Sequence, residues 1–197
     1  MKRAIVITII TIMSMLYAKA QPLTWEMDTV SQYAIPVGIC SWNDLKRGEF
    51  FAEMENFYIQ YQPKREVVER IAALLRVIND RKSNESGPQF DGVTVYFGAW
   101  CGDSKEYLPA FIKICDLLQN EEQVALPCVL VACNHAKEHG LPVQEFDFKI
   151  ELVPTFVFQT IKYENASITR QTFATIVETP QATIEEDIED ILHKLVK

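Results

Sequence analysis

Apolar residues recur with helical spacing in the first half of this chain and in strand-like runs in the second half. In the first half the pattern predicts two helices. The first runs over about 42–61, where Ser41 can cap its beginning and Pro63 would break its continuation. The second is amphipathic, with its apolar positions spread over 67–78. The mixed, turn-rich stretch before them, residues 21–40, predicts no firm element.

The second half predicts alternating strands and helices. A helix over 101–118 contains Pro109, and another helix closes the chain at 184–196. Polar segments at 79–92 and 134–148 predict loops, the second with room for a short helix. Strands are predicted at 93–98, 124–133, 155–159 and 168–177. This order predicts an α/β fold in which a mixed central sheet is covered by helices on both faces.

Residues 1–20 have the composition of an export signal rather than of a folded element. Two basic residues precede an apolar run over 4–16, and Ala18-Lys19-Ala20 has the small-x-small pattern that signal peptidase recognises. The apolar run is shorter than the ~20 residues needed to span a bilayer, so we expect cleavage, with an uncleaved anchor as the alternative. Cleavage predicts a periplasmic or secreted protein without a membrane span.

The charge balance makes nucleic acid an unfavourable partner. The chain has 19 Lys and Arg residues against 27 Asp and Glu residues, a net charge of −8 at pH 7, and no basic stripe. Such a chain repels phosphate backbones. We therefore expect no nucleic-acid partner.

Neither the cysteines nor the histidines form a metal-ligand pattern. The five cysteines are Cys40, Cys101, Cys115, Cys128 and Cys133. The last two are separated by four residues but lack the second ligand pair of a zinc site. His135 and His139 have the i, i+4 spacing of a helix face but no third ligand, so we expect them on a solvated helix. We predict no metal and no cofactor.

An odd number of cysteines in an exported protein leaves at least one thiol without an internal partner. Cys115 and Cys128 lie in apolar segments, and we expect both in the core. The pairing of Cys40 and Cys133 stays open, and Cys133, at the end of a predicted strand, is an alternative second reactive thiol.

The strongest candidate for a reactive side chain lies between Val93 and Lys105. A β-branched and aromatic run ends in a turn of small residues, and Cys101 opens the helix that follows. A helix N-terminus carries partial positive charge and therefore favours thiolate over thiol. The carboxylate of Asp103 opposes this effect and the ammonium of Lys105 offsets it in part, although we expect both side chains to be solvated.

The motif Phe-Gly-Ala-Trp100-Cys101-Gly102-x-x-Lys105, followed downstream by Val153-Pro154-Thr155, resembles the active site of the thioredoxin family. The run Trp-Cys-Gly-Asp-Ser-Lys further resembles exported thioredoxin-like proteins of Bacteroidota-type bacteria. The resemblance covers about residues 91–197 and implies a thioredoxin-like fold there. Residues 21–90 would then form an N-terminal extension with two helices.

By this resemblance, Cys101 is the exposed nucleophile. Ser104 replaces the family's second, resolving cysteine one helical turn further on, where it faces the same side as the thiol. Its hydroxyl can donate a hydrogen bond to the thiolate but cannot attack a mixed disulfide. The family's buried acid, six residues before the nucleophile, is Val95 here. Without a resolving thiol and its proton relay, we do not expect the full reduce-and-release cycle.

The resemblance also implies a substrate groove. A cis bond between Val153 and Pro154 would expose the preceding backbone, which pairs with an extended substrate strand. Glu178 lies where the family has a glycine, and is either a base near the thiol, a selector of basic peptides or a solvated turn residue. The residues assigned to substrate binding are Trp100, Gly102, Val153, Pro154, Thr155 and Glu178.

These features predict an exported thiol-disulfide exchange protein with a single nucleophilic cysteine, which captures mixed disulfides or isomerises them. Its expected partners are exported protein thiols or disulfides, and a small thiol or a redox partner protein. A non-catalytic thioredoxin-fold module that binds a partner protein is the alternative, because the resolving cysteine and the buried acid are both missing. The Pro-x-x-x-Thr-x-x-Cys site of peroxide-reducing enzymes is absent.

Overall fold

One mixed sheet organises the part of the chain that the structure describes. The computed structural model describes residues 23–82, 87–141, 148–164 and 167–197, so the predicted leader, 1–20, lies outside it. The strands are β1 Thr24–Met27, β2 Ala34–Cys40, β3 Gln89–Phe97, β4 Cys128–Ala132, β5 Thr155–Glu164 and β6 Ser167–Val177. The helices are α1 Trp42–Leu45, α2 Phe51–Gln60, α3 Arg65–Lys82, α4 Gly102–Asn120 and α5 Ile184–Val196. Within the described ranges, no helix combines the length and the apolar character needed to cross a membrane.

The sheet has the strand order β1-β2-β4-β3-β5-β6. Strands β3 and β4 run parallel and are connected through α4, whereas all other neighbours run antiparallel. The predicted mixed sheet of an α/β fold is therefore confirmed. The four predicted strands all form, although the strand expected at 124–133 is confined to β4.

Two further strands come from residues 21–40, where the sequence predicted no element. The first half of β2 pairs with β1, and its second half, from Gly38 to Cys40, pairs with β4. Gly38, with φ of 113°, lies where the partner changes, a backbone conformation that favours glycine. Pro36 lies in the half that faces the edge strand, which tolerates a missing N–H. Because glycine and proline are typical of turns, Gly38 and Pro36 concealed this strand in the sequence pattern.

The helix predicted over 42–61 is interrupted. Ser41 caps α1 as expected, in a reciprocal capping box with Asp44, but α1 ends after a single turn and α2 begins only at Phe51. Phe50, 3% exposed, lies between them with its ring 6.3 Å from the Trp25 ring and 6.0 Å from the Tyr33 ring. The burial of the Phe50 ring against the β1–β2 hairpin therefore interrupts the helix.

Helix α3 extends past the predicted start of a loop at residue 79, and β3 begins earlier than expected. Arg81 donates to the backbone carbonyls of Leu195 and Val196 at 3.2 and 3.0 Å, at the C-terminal end of α5. Arg70 makes a bidentate ion pair with Glu189 in the middle of α5. These contacts with α5 thus stabilise α3 as far as its polar end beyond residue 79, where the sequence lacks helical periodicity.

All five helices bury apolar residues on one face of the sheet. This helix-side core includes Leu45 of α1, Met54 of α2, Ile71 of α3, Phe111 of α4 and Ile188 of α5. The opposite face forms a smaller, loop-side core. Its members are Tyr96, Val131, Cys133, Leu141 and Val157, with Phe148 and Ile150 packed against them.

The loop-side core contains no residue from a helix in the described part of the chain. The prediction of helices on both faces is therefore wrong for the described residues. The short helix expected within 134–148 is absent from 134–141, while 142–147 lies outside the described residues. Polar residues there do not support a helix, and isolated apolar side chains cover the sheet instead.

The core continues across residue 91, where a boundary between extension and domain was predicted. Strand β2 hydrogen-bonds to β4, and the helices between residues 42 and 82 share the helix-side core with α4 and α5. These helices number three rather than the expected two. The residues before 91 therefore complete the sheet and its helical cover.

Candidate functional site

Cys101 lies at the N-terminal end of α4, after the short turn that follows β3. Strand β3 ends at Phe97, and the Cys101 N–H donates to the Gly98 carbonyl at 2.9 Å as the chain turns. Cys101 is the N-cap residue and is half-buried, and its carbonyl accepts from the Lys105 N–H at 3.1 Å. Cys101 thus occupies the helix N-terminus, where the helix dipole favours negative charge, although its side chain makes no capping hydrogen bond.

The structure brings Cys101 together with the Val153-Pro154-Thr155 segment. The Cys101 thiol donates to the Val153 carbonyl at 3.1 Å, across 52 positions of sequence, and the Val153–Pro154 bond is cis, as the resemblance implied. Val153 and Thr155 are 3% and 2% exposed, which holds this loop firmly at the start of β5. The Thr155 hydroxyl donates to the Leu152 carbonyl at 2.7 Å and closes the loop.

Ser104 has a different partner from the one expected. Its side chain is fully buried, and its hydroxyl oxygen accepts a hydrogen bond from the Gly98 N–H at 3.1 Å. Among the contacts of the described residues, none joins Ser104 to the Cys101 sulfur. The i, i+3 spacing does put Ser104 under the turn, but the inward-facing Gly98 N–H needs an acceptor there. Ser104 therefore stabilises the turn that carries the thiol.

Lys105 is not solvated, contrary to the sequence-based expectation. Its side chain is 14% exposed, and its ammonium forms an ion pair with Glu53 of α2 at 2.7 Å. Burial is the largest single effect and would lower the pKa of Lys105, but the interactions with Glu53 and Tyr33 together outweigh it and the pKa is raised. Because this charge is committed to Glu53, it is less able to offset Asp103.

Trp100 is held from three sides. Its indole N–H donates to the Cys133 carbonyl at 3.0 Å, its ring stacks on His135 with centroids 4.0 Å apart, and the Lys137 ammonium lies 4.7 Å from the ring centroid. A Cβ at Gly98 would lie 2.6 Å from this indole, so the turn requires glycine. Trp100 thus forms a fixed wall beside Cys101, while Gly102 is exposed.

The N-terminal hairpin supports this wall. His135 Nε2 lies 2.9 Å from a carboxylate oxygen of Asp28, which is 3% exposed and follows β1. Hydrogen bonds from the Ser31 side chain and backbone, together with His135, hold the pKa of Asp28 at about 2, despite the opposing effect of burial. Tyr33, on the same hairpin, donates to the Ala99 carbonyl at 3.3 Å. The sequence did not indicate the roles of Asp28, Ser31 and Tyr33, because residues 21–40 show no periodic pattern.

Glu178 lies next to the cis-proline loop through its backbone. Its N–H donates to the Pro154 carbonyl at 2.7 Å, and its φ of 56° is in the left-handed region. The side chain is half-buried. A positive φ explains why glycine suits this position in the family that the sequence resembles.

The expectation that His135 and His139 share a solvated helix face is wrong. His135 is in a turn and stacks on Trp100, whereas His139 is half-buried beside the Tyr96 ring and accepts from the Leu141 N–H at 3.2 Å. The described residues contain no group of three or more potential metal ligands.

Two of the remaining cysteines are deeply buried on opposite faces of the sheet. Cys40 belongs to the helix-side core and Cys133 to the loop-side core, and burial raises the pKa of each to about 12. Their locations disfavour a bond between them. Cys133 is fully inaccessible, so it is unsuited to act as a second reactive thiol.

Comparison with family models, with curated proteins and with solved structures finds no match to this chain. What the site does must therefore be inferred from its own residues.

Proposed function

We propose that this chain is an exported thioredoxin-like protein that exchanges disulfides through a single nucleophilic cysteine, Cys101. The observation that carries the proposal is the 3.1 Å hydrogen bond from the Cys101 thiol to the Val153 carbonyl, beside the cis Val153–Pro154 bond. A thiol at the start of a 19-residue helix faces a fixed backbone carbonyl, although the two lie far apart in sequence. This arrangement suits a sulfur nucleophile next to a peptide-binding edge.

The chain topology supports a thioredoxin-like fold. From residue 93 onward, the element order β3-α4-β4-β5-β6-α5 with parallel β3 and β4 is the one predicted from the sequence, apart from the short helix expected within 134–148, whereas β2 and its antiparallel pairing with β4 were not predicted. Three features depart from that family: Val95 is apolar and fully buried in the helix-side core, Ser104 replaces the second cysteine, and one sheet face has no described helix. These departures favour the capture of substrates as mixed disulfides, or the isomerisation of their disulfides, over a complete cycle of disulfide reduction.

The proposed reaction is a thiol-disulfide exchange at Cys101. The Cys101 proton, now donated to the Val153 carbonyl, passes to solvent, and the thiolate attacks one sulfur of a substrate disulfide. A bond forms between that sulfur and Cys101, the substrate S–S bond breaks, and the second sulfur leaves as a thiolate that takes up a proton. Ser104 has no sulfur with which to reverse this bond, so a second thiol, from the substrate or from a small thiol, releases the product.

Besides the nucleophile, five of the assigned residues contribute to this reaction. Ser104 holds the Gly98 turn so that the nucleophile keeps its position at the helix end. Trp100 supplies a rigid apolar wall, and exposed Gly102 leaves the approach to the sulfur open. Val153, beside Pro154, offers the backbone against which an extended peptide pairs.

A direct test is capture of a model substrate by the purified mature chain. The probe is a short peptide whose cysteine is joined to glutathione, and intact mass after acid quenching measures mixed disulfide. We expect capture at Cys101, followed by release when reduced glutathione is added. The comparison is made in a Cys128→Ser background, which removes an exposed thiol remote from the site; this background should retain capture, and adding Cys101→Ala to it should abolish capture. Equal capture by Cys101→Ala would overturn the proposal.

A non-catalytic binding module is the second candidate, favoured by Ser104 in place of a resolving cysteine and by the apolar, fully buried Val95 in place of a buried acid. Affinity purification of the tagged protein from its own cells separates the two functions. A disulfide-held partner is released by reductant and is absent with Cys101→Ala. A partner that survives reductant and is retained by Cys101→Ala supports the binding module.

Export rests on the leader at 1–20 and is tested by fractionation. We expect the mature chain outside the cytoplasm with Gln21 at its N-terminus. Replacing apolar residues of the leader with charged ones should retain the full-length chain inside.

A further inference from the structure

Cys115 and Cys128 form a pair of thiols that the proposed function does not use. Cys115 is half-buried on α4, and Cys128 is exposed at the first position of β4. The sequence led us to expect both in the core, but they lie at its margin.

The fold brings these two side chains to the same interface. Cys115 packs against the helix-side core, as do the neighbouring α4 residues Ile114 and Leu118. Alternation along β4 puts Cys128 on the same face as Leu130, which is also in that core. The two cysteines therefore face each other across the contact between α4 and β4.

The connection between α4 and β4 keeps this contact close. The Val124 N–H donates to the Leu118 carbonyl at 3.0 Å, so the chain reverses immediately after α4. Val93 of β3 donates to the Pro127 carbonyl at 2.9 Å and fixes the start of β4. With both ends of the connection fixed, the two thiols lie close enough together for each to be the main influence on the pKa of the other.

The same contact makes the two sulfurs unequal. The interaction between them lowers the pKa of Cys128, and it raises that of Cys115, which burial raises further. Cys128, at the exposed end of the strand, is therefore the thiol suited to attack an external disulfide first, and Cys115 is suited to resolve the product.

We infer that Cys115 and Cys128 are the site of an intramolecular disulfide that joins α4 to β4 when the protein meets a small-molecule disulfide. The Cys128 thiolate attacks the reagent, forms a mixed disulfide and releases one thiolate, which is then protonated. Cys115 loses its proton, attacks the Cys128 sulfur and displaces the second thiolate. Two protein thiols and one small disulfide thus become one protein disulfide and two small thiols.

This site is separate from the proposed reaction at Cys101. The bond would tie the C-terminal half of α4 to the sheet, while Cys101 occupies the opposite end of that helix. It would persist only where disulfides are stable, as in the exported compartment expected from the leader.

The test uses the mature chain carrying Cys101→Ala, so that failure of the proposed function does not affect the result. The reduced, folded protein is incubated with oxidised glutathione, quenched with acid and alkylated in denaturant. We expect two of its four thiols to resist alkylation, with a mass lower by two hydrogens and no glutathione adduct. Four alkylated thiols, or a stable adduct without an internal bond, would overturn the inference.

Cleavage after glutamate identifies the partners. The bonds after Glu106, Glu121, Glu122 and Glu138 place Cys115 on one peptide and Cys128, with Cys133, on another. We expect these peptides to be linked until reduced, with fragmentation assigning the bond to Cys128. Adding Cys128→Ser should abolish the link, whereas adding Cys133→Ala should preserve it. A link from Cys115 to Cys133 would contradict the assignment.

Discussion

The hydroxyl oxygen of Ser104 accepts a hydrogen bond from the backbone N–H of Gly98 at 3.1 Å, and both residues are buried. This bond spans the turn between β3 and α4, with Trp100 and Cys101 on the loop that it closes. The residue that replaces a second cysteine is therefore part of the support for the first one. Substitutions at Ser104 can therefore test separately the stability of this turn and the reactivity of the Cys101 thiol.

Ser104→Ala should destabilise the protein, because the Gly98 N–H would lose its acceptor in a site without solvent. Leaving a buried donor unsatisfied costs about 1–3 kcal/mol. The free energy of unfolding from urea titration, compared with wild type, measures the loss. No change would mean that Gly98 finds another acceptor.

Ser104→Cys should convert capture into release. The new thiol would lie three residues along the helix from Cys101, on the same side by helical spacing, from which we expect it to attack a mixed disulfide at Cys101 and free the bound peptide. We expect the captured peptide–protein adduct to disappear without added glutathione. An adduct as long-lived as that of wild type would show that position 104 is too tightly held to reach the sulfur.

Tyr61→Phe should destabilise the junction between α2, α3 and α5. The Tyr61 hydroxyl donates to the Glu185 carboxylate, which is 1% exposed and also accepts from the Lys64 N–H at 3.0 Å. Losing a hydrogen bond to a buried charged group costs about 1.5–3 kcal/mol. Tyr163→Phe, at an exposed ring, is the matched control and should change stability by less than about 0.5 kcal/mol. Similar losses in both variants would contradict this role.

Asp28 should stabilise the folded protein more at neutral than at acidic pH. Its pKa is lowered from 3.8 to about 2, chiefly by the Ser31 hydroxyl, so the folded state favours the carboxylate. The contribution is fully present above pH 3.8 and is lost as the pH falls towards about 2.

Urea unfolding of wild type and Asp28→Asn across this range measures the effect. The wild type should be the more stable at neutral pH, and the difference should shrink on acidification. A difference that is independent of pH would assign the effect to packing rather than to charge.

Phe50→Ala should separate the N-terminal hairpin from the helices. Removing this ring, 3% exposed between Trp25 and Tyr33, leaves a cavity where β1, β2 and α2 meet, at a cost of about 3–5 kcal/mol. Hydrogen exchange should report faster opening of β1 and β2 than of β3. Uniform acceleration would instead show that the hairpin and the rest of the sheet open together.

Local patterns in the sequence determined most of the secondary structure from residue 93 onward. Cys101 at the start of α4, the closing helix α5, and the strands β5 and β6 all follow from periodicity and composition within short windows. Such signals depend only on neighbouring residues, so they can be read without knowing what packs against them.

Tertiary structure decided the features that depend on distant partners. Gly38 belongs to a strand because β1 and β4 lie on either side of it, and Phe50 interrupts a helix because Trp25 and Tyr33 bury its ring. Ser104 bonds to Gly98 rather than to the thiol, a choice between partners that spacing leaves open. Each outcome depends on burial and hydrogen-bond satisfaction among residues that only the folded chain brings together, so no local pattern encodes it.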